Sequence, residues 1–144
     1  MKIAIGCDHG GFDAKEEVVS KLRKEGIEVE DVGTMSNDSV DYPIYAFKCA
    51  KLVQEKKVDK GVLICSSGEG VMICANKVKG IRCGMGYNDE VSKLMVEHNH
   101  ANMIAFGAKF MSAEEIYKRI IIFLETKPSE EERHVRRVKQ IVEQ

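Results

Sequence analysis

The chain has 144 residues, enough for one domain with its own hydrophobic core and too few for two ordinary domains. Apolar residues make up 44% of it and charged residues 31%, the balance of a soluble globular protein. The net charge of -1 gives no basic excess that would indicate nucleic acid binding. No apolar run approaches the roughly 20 residues that span a bilayer, so we expect no membrane partner.

The cysteines and the N-terminus indicate a reducing compartment. The chain has five cysteines: Cys7, Cys49, Cys65, Cys74 and Cys83. Their odd number and the lack of a C-x-x-C pair argue against a disulfide framework and against a zinc site. Asp8 and His9 lie where a signal peptide would still be apolar, so we predict a cytoplasmic protein. A free cysteine is usually a small buried hydrophobe, and any functional cysteine has to be separated from that background.

Short apolar runs alternate with longer amphipathic ones along the chain. The short runs predict five strands, over residues 2–8, 27–33, 61–65, 81–87 and 101–108. Helical periodicity predicts helices after each of them, over residues 12–26, 41–57, from about 70, 88–98 and 112–124.

Helix-end signals support this division of the chain. They are a C-terminal stop at Gly26, a first-turn proline at Pro43, a cap at Asn88, and a capping box formed by Ser112 with Glu115. After Pro128, the same logic predicts that Ser129 and Glu132 cap a final basic helix that runs to residue 144.

Five strands that alternate with helices predict a parallel sheet covered on both faces. The fold class is therefore α/β, a single doubly wound domain of Rossmann or flavodoxin type over residues 1–144. In such sheets the ligand lies beyond the carboxyl ends of the strands, near the switch in strand order. That rule places Asp8, His9 and residues 65–70 at one edge of the sheet, and Tyr87, at the end of the fourth predicted strand, is a further candidate there.

Two of the loops at this edge carry glycine pairs, Gly10-Gly11 and Gly68-x-Gly70. Glycine lets backbone N–H groups crowd one point, and a helix N-terminus adds positive potential, so an oxyanion or phosphate is the expected guest. No Lys-Ser/Thr follows the second loop, and the first lacks G-x-G-x-x-G. ATP and NAD are therefore poor candidates, whereas a small phosphorylated molecule fits.

Cys65 ends the third predicted strand, where its thiol would point into that anion site. A helix N-terminus lowers the pKa of a thiol, and a thiolate can act as nucleophile or base. His98 and Asn99 end the helix after the fourth strand, and an imidazole there can supply an acid. Alternatively, His98 is only a cation at a helix C-terminus, or one half of a His98-x-His100 metal pair that has no third ligand.

Arg133 and Arg137 lie four residues apart on one face of the last helix. They can form a solvated basic face that pairs with residues 130–132, or a clamp for a phosphate, because guanidinium groups bind anions in a bidentate way. Spacing alone does not choose between these two interpretations.

The motifs together resemble the ribose-5-phosphate isomerase B family, which also contains isomerases of allose and galactose 6-phosphates. They are C-D-H-G-G at 7–11, D-Y-P at 41–43, C-S-S-G-E-G…A-N-K at 65–77, E-H-N at 97–99, G-A-K at 107–109 and R-H-x-x-R at 133–137. Each motif is common by itself, but six in this order are specific, and they cover essentially the whole chain.

The resemblance implies that Cys65 is the base that moves a proton between C1 and C2 of a sugar phosphate, and that His98 is the acid that opens the furanose ring. It implies a further set of substrate-binding residues: Asp8, His9, Tyr42, Ser66, Ser67, Gly68, Glu69, Gly70, Asn99, Lys109, Arg133 and Arg137. Proton transfer through an enediolate needs a base, oxyanion donors and a phosphate clamp. We therefore expect neither a metal nor an organic cofactor.

Three positions depart from the family pattern. The loop after the cysteine usually reads C-G-T-G, whereas this chain has Ser66 and Ser67. Lys109 stands where arginine is common. Lysine keeps the positive charge but lacks the paired N–H donors of a planar guanidinium group. One branch of the family uses a glutamate base six residues after the cysteine position, but that residue here is Val71, so Cys65 stays the candidate base.

The expected function is therefore interconversion of ribose 5-phosphate and ribulose 5-phosphate. The alternatives are isomerisation of a hexose 6-phosphate (allose or galactose) and, from another class, a non-catalytic domain that binds a phosphorylated metabolite. The resemblance also implies a homodimer, or a dimer of dimers, with active sites at the subunit boundary. The helix over residues 129–144 has no strand to return to, so we predict that it reaches the partner subunit.

Overall fold

Parallel strand pairing organises the protein, and the computed structural model describes all 144 residues. The five strands are β1 (Lys2–Cys7), β2 (Glu28–Asp31), β3 (Lys60–Cys65), β4 (Cys83–Met85) and β5 (Met103–Gly107). The six helices are α1 (Phe12–Lys24), α2 (Tyr42–Gln54), α3 (Glu69–Asn76), α4 (Asp89–Glu97), α5 (Ala113–Glu125) and α6 (Glu132–Val142). The predicted fold class, a doubly wound α/β sheet with five parallel strands, is confirmed. None of the helices combines the length and the apolar composition that a membrane span requires.

The strand order in the sheet is β2-β1-β3-β5-β4, with every pair parallel. The chain moves outward from β1 to β2 and then crosses back to β3, so the order switches between β1 and β3. The loops that follow these two strands therefore flank the crevice in which such sheets bind ligands.

Alternation along the strands divides the core into two layers. Ile3, Ile5 and Ile64 belong to the layer covered by α1, α4 and α5. Ala4 and Cys65 belong to the opposite layer, which α2 and α3 cover. Successive residues of a strand point to opposite faces, so the side chain of Cys65 lies on the α2 and α3 face of the sheet.

Most of the predicted helix ends are confirmed. Asn88 caps α4 by accepting from the Val91 N–H, and Ser112 forms the capping box of α5 with Glu115. Gly26 follows the end of α1 with a φ of 81°, in the left-handed region that suits glycine. Four of the strands are shorter than predicted, because their outer residues belong to the adjoining loops, whereas β3 begins one residue earlier than predicted, at Lys60.

The predicted cap of the last helix is wrong. Residue Glu131 occupies the N-cap of α6, without a side-chain hydrogen bond. Ser129 lies too early: its hydroxyl accepts from the Glu131 N–H at 3.1 Å and makes a turn ahead of the helix. Ser129 instead ties the segment to α4, since its own N–H donates to the Glu97 carbonyl at 3.0 Å.

A buried lysine holds the first helix to the second strand. The side chain of Lys15 is fully buried, and its Nζ donates to Asp31 Oδ2 at 2.8 Å and to Glu16 Oε1 at 2.6 Å. Burial alone would lower the pKa of Lys15, but these two hydrogen bonds raise it above its ordinary value. The other oxygen of Asp31 accepts from the Gly33 N–H at 3.0 Å, so the same carboxylate also fixes the chain that leaves β2.

Asp31→Asn tests this ion pair, because asparagine keeps the volume and the oxygen that accepts from Gly33 while removing the charge. We expect the free energy of unfolding to fall by about 2–4 kcal/mol, since a buried ammonium group loses its main counter-charge. Urea denaturation measures the change. Glu17→Gln is the matched control, because its pair with Lys21 is exposed and 4.0 Å long, and its loss should cost under about 0.5 kcal/mol. Equal effects of the two substitutions would contradict the assignment.

Candidate active site

The thiol of Cys65 lies at the carboxyl end of β3, where the chain turns into α3. Only 5% of the residue is exposed, and the Gly68 N–H donates to Cys65 Sγ at 3.1 Å. Gly68 has a φ of 83°, and a Cβ there would lie 2.8 Å from the backbone carbon of Phe106 and from a methyl group of Met85. Only glycine fits this position, so the loop geometry that presents an N–H to the sulfur depends on it.

The same loop offers unused hydrogen-bond donors. The N–H groups of Ser66, Ser67 and Gly70 donate to no acceptor within the chain. They lie at the N-terminus of α3, where the helix dipole adds positive potential. These donors surround the end of β3 that carries Cys65, so an oxyanion formed beside this thiol would be stabilised.

The loop after β1 packs directly against residues 66–68, which follow Cys65 and which we call the thiol loop. Asp8 is buried, and its Oδ1 accepts from the Gly10 and Gly11 N–H groups at 2.9 and 3.2 Å. A Cβ on Gly10 would collide with the hydroxyl of Ser66. Close packing of the two loops therefore explains why residue 10 is glycine. The sequence had instead suggested that glycine here exposes backbone N–H groups to an anion.

His9 is held in one tautomer by the backbone. The Val40 N–H donates to His9 Nδ1 at 3.1 Å, so Nδ1 is unprotonated and the neutral ring carries its hydrogen on Nε2. The ring therefore presents a donor at Nε2. Sequence reasoning missed this contact, and no sequence signal marks it, because Val40 contributes only its main chain.

Two further predicted residues lie beside the thiol loop. The ring of Tyr42, at the start of α2, approaches Gly70 so closely that a Cβ there would lie 2.6 Å from it. The N–H of Lys109 donates to the Ser66 carbonyl at 3.0 Å, which fixes the chain after β5 against the same loop. We call the residues gathered here the thiol cluster: Asp8, His9, Tyr42, residues 65–70 and Lys109.

His98 and Asn99 lie at the opposite edge of the sheet. Helix α4 starts after β4 and runs back against the strand direction, so its C-terminus reaches the edge where the strands begin. Lys60, the first residue of β3, donates to the Ala101 carbonyl at 3.1 Å and marks that edge. Cys65 is five residues further along β3, about 16 Å from Lys60, and its side chain lies on the face of the sheet that α4 does not cover.

Helix α6 joins His98 at this edge. The ring of His134 stacks on the ring of His98, with centroids 4.3 Å apart and planes inclined by 30°. Three other basic residues of the helix pair with glutamates of the same segment: Arg133, Arg136 and Lys139. Arg137 has no such partner, and its guanidinium group is exposed. We call His98, Asn99, Arg133 and Arg137 the imidazole cluster.

The predicted site residues therefore form two groups within one chain, and the fold does not bring these groups together. A cleft of about 670 Å³ borders Asn99, between the start of β4 and the end of α6, but the thiol loop does not line it. Sequence reasoning missed His134 as a partner of His98, although His134 lies inside the R-H-x-x-R motif.

The other cysteines are poor bases. Burial raises the pKa of Cys7 and of Cys49 to about 12. Burial also raises the pKa of Cys74 and of Cys83. All four are thus protonated near neutral pH and behave as core residues, and only Cys65 has the N–H of a glycine loop directed at its sulfur.

Comparison with known proteins identifies the family. The family model described as Ribose/Galactose Isomerase matches residues 3–141. The ribose-5-phosphate isomerase B of Escherichia coli is 45% identical over 116 residues, which are 78% of this chain and 76% of that protein. The corresponding Mycobacterium leprae protein is 32% identical over 139 residues, 96% of this chain and 86% of that one.

Solved structures give the same result. The ribose-5-phosphate isomerase B of Clostridium thermocellum superposes with a TM-score of 0.96 at 40% identity, over 99% of this chain and 96% of that one. The ribose 5-phosphate isomerase of Thermotoga maritima superposes with a TM-score of 0.95, also at 40% identity, over 99% and 98% of the two chains. Because both the sequence and the fold match along nearly the whole length, this chain belongs to the ribose/galactose isomerase family and is an isomerase.

Proposed function

We propose that the protein interconverts ribose 5-phosphate and ribulose 5-phosphate through an enediolate. The observation that carries this proposal is the Cys65 sulfur at the end of β3, with the Gly68 N–H directed at it and unused N–H groups beside it. An aldose–ketose isomerase needs a base next to oxyanion donors, and this loop supplies both. The names of the relatives support ribose 5-phosphate as the substrate.

In the proposed reaction, the Cys65 thiolate removes the proton from C2 of the open-chain aldose. The electron pair moves to the carbonyl oxygen, which becomes the oxyanion that the N–H groups of Ser66, Ser67 and Gly70 stabilise. The thiol then returns the proton to C1, and the hydroxyl proton on O2 is transferred to O1, which yields the ketose. His98 acts earlier: it protonates the ring oxygen, the bond between C1 and that oxygen breaks, and the anomeric hydroxyl releases its proton to solvent as it becomes the carbonyl.

We further propose that each active site combines the thiol cluster of one subunit with the imidazole cluster of another. The sheet separates Cys65 from His98 within one chain, and a two-fold dimer offers both clusters to each site. Helix α6 supports this assembly. Only His134 and Val138 of the helix are buried on its own chain, while Val135, Ile141 and Val142 stay exposed.

The unpaired state of the cysteines supports a cytoplasmic location. All five are free, and all five are buried within a single subunit. A thiolate base at Cys65 has to stay reduced to act, which a reducing compartment favours.

Cys65→Ala tests the base. We expect the variant to bind ribose 5-phosphate but to lose about 10²–10⁴-fold in turnover, the usual contribution of one general base. Calorimetric binding and a coupled isomerisation assay measure the two effects. Cys7→Ala is the matched control, because Cys7 ends β1 as Cys65 ends β3 and should affect only stability. Near-normal turnover of Cys65→Ala would exclude the thiol as the base.

His98→Asn tests ring opening. Ribulose 5-phosphate has no furanose form, because its 5-oxygen carries the phosphate, so its initial rate should stay proportional to enzyme concentration. The rate from ribose 5-phosphate should instead stop rising with enzyme, because uncatalysed ring opening in solution then supplies the open-chain aldose. A proportional response in both directions, with both rates reduced, would assign His98 a different role.

Subunit mixing tests the shared site. Cys65→Ala and Arg137→Ala should each be weakly active below the KM for substrate. After they are unfolded and refolded together in equal amounts, half of the dimers are mixed, and each mixed dimer contains one site with neither defect. Activity should recover to about a quarter of that of the unmutated protein. No recovery, with mixed dimers present by mass spectrometry, would show that both residues serve a site within one chain.

Side-by-side kinetics test the substrate. We expect kcat/KM to be highest for ribose 5-phosphate when it is compared with allose 6-phosphate and galactose 6-phosphate. A higher value for a hexose would reassign the substrate within the family, and no turnover of any of the three would favour a binding domain without catalysis.

A further inference from the structure

His134 is the one side chain of α6 that packs ring to ring against a residue of the proposed site. Its centroid lies 4.3 Å from that of His98, and only 7% of His134 is exposed, whereas His98 is exposed. The Nδ1 atom of His134 is buried and has no hydrogen-bond partner. A buried polar atom without a partner is rare and requires an explanation.

The surroundings of His134 keep its ring neutral. A protonated ring would place an N–H at Nδ1 with no acceptor, whereas a neutral ring leaves only a lone pair there. Burial lowers the pKa of His134, the nearby His98, Arg133 and Arg137 lower it further, and Glu131 alone opposes them. These residues come from α6, from its N-cap and from the end of α4, the elements that face the ring.

His98 has the opposite environment. Its ring is exposed at the end of α4, and the C-terminus of a helix favours a cation. Two stacked imidazoles do not readily carry two protons, because two adjacent charges repel each other. Where two neighbouring titratable groups have environments that separate their proton affinities, one of them serves as the acid and the other stays uncharged.

We propose that His134 is the positioning residue of His98: its neutral ring holds the His98 imidazole in one plane, and the pair carries its single proton on His98. This inference rests on the proposed role of His98 in ring opening. His134 itself does not touch the substrate. Because His134 and Arg137 belong to the same helix, the seating of α6 sets both the orientation of the acid and the position of the phosphate clamp.

Two substitutions separate the parts of this proposal. His134→Phe keeps a flat ring against His98 and cannot be charged, whereas His134→Ala removes the ring. We expect His134→Phe to retain turnover within about 3-fold. We expect His134→Ala to lower the initial rate from ribose 5-phosphate about 10-fold, while the rate from ribulose 5-phosphate changes less than about 2-fold.

NMR titration of the ring signals in the unmutated dimer gives a readout that does not depend on activity. The His134 ring should gain its proton only at a pH below the ordinary range of histidine, because burial and the neighbouring positive charges lower its pKa. A His134 that titrates within the ordinary range would overturn the proposal. So would a His134→Phe variant that folds normally but is as impaired as His134→Ala, since a ring alone would then be insufficient.

The outcome can be separated from a failure of the proposed function. If His98→Asn impairs both directions in proportion, ring opening by His98 is excluded. If His98→Asn impairs only the aldose direction but His134→Ala lowers both rates equally, His134 merely stabilises the fold and the positioning role is excluded. If His134→Ala does not fold, the proposal is still tested by the turnover of His134→Phe and by the NMR titration of His134.

Discussion

The direction of the strands is the constraint on which the rest of the protein depends. In a parallel sheet every helix runs back against the strands, so the residue that ends a strand and the residue that ends the following helix lie at opposite edges. Cys65 ends β3, and His98 ends α4. The candidate base and the candidate acid are thus held at opposite edges of the sheet by the backbone itself, a gap as long as β3, which extends about 16 Å from Lys60 to Cys65. No side-chain rearrangement within one subunit closes such a gap, which is why we propose that two chains combine to form each site.

The thiol cluster leaves no room for larger side chains at two of its glycine positions. The Gly68 N–H reaches the Cys65 sulfur because residue 68 adopts a left-handed conformation between Met85 and Phe106, where a Cβ does not fit. Gly10 lets the loop after β1 pack on Ser66 in the same way. Backbone groups rather than long side chains therefore define the shape of the thiol cluster. Such groups lose little entropy on binding and keep their orientation during the reaction, which suits the stabilisation of a transient oxyanion.

The fold was predictable because its signals are local. Alternating apolar runs located all five strands, and caps such as Asn88 and Ser112 marked helix starts through contacts with residues three positions away. The cap at Ser129 was wrong for a physical reason: its segment is fixed by contacts with Glu97, at the end of α4, and with His100 in the loop that follows, and the helix begins only after these contacts. The outer strand order, β5 before β4, likewise depends on packing between distant segments rather than on any local pattern.

The site was predictable only in part. The rule for strand ends correctly gathered Asp8, His9 and the Cys65 loop, because strand ends are readable from the sequence. The stacking of His134 on His98 could not be predicted from the sequence. It joins residues 36 positions apart and depends on where α6 packs against the rest of the chain.

The position of α6 connects the proposed dimer with the proposed shared site. Helix α6 buries only two of its side chains on its own subunit and leaves Val135, Ile141 and Val142 exposed, together with Arg137, which has no ion-pair partner. A helix with this surface gains most of its stability from whatever covers it. If the thiol cluster of a second subunit covers α6, the contact that orders the helix is the same contact that brings His98 and Arg137 to Cys65. Assembly and completion of the active site are then a single event.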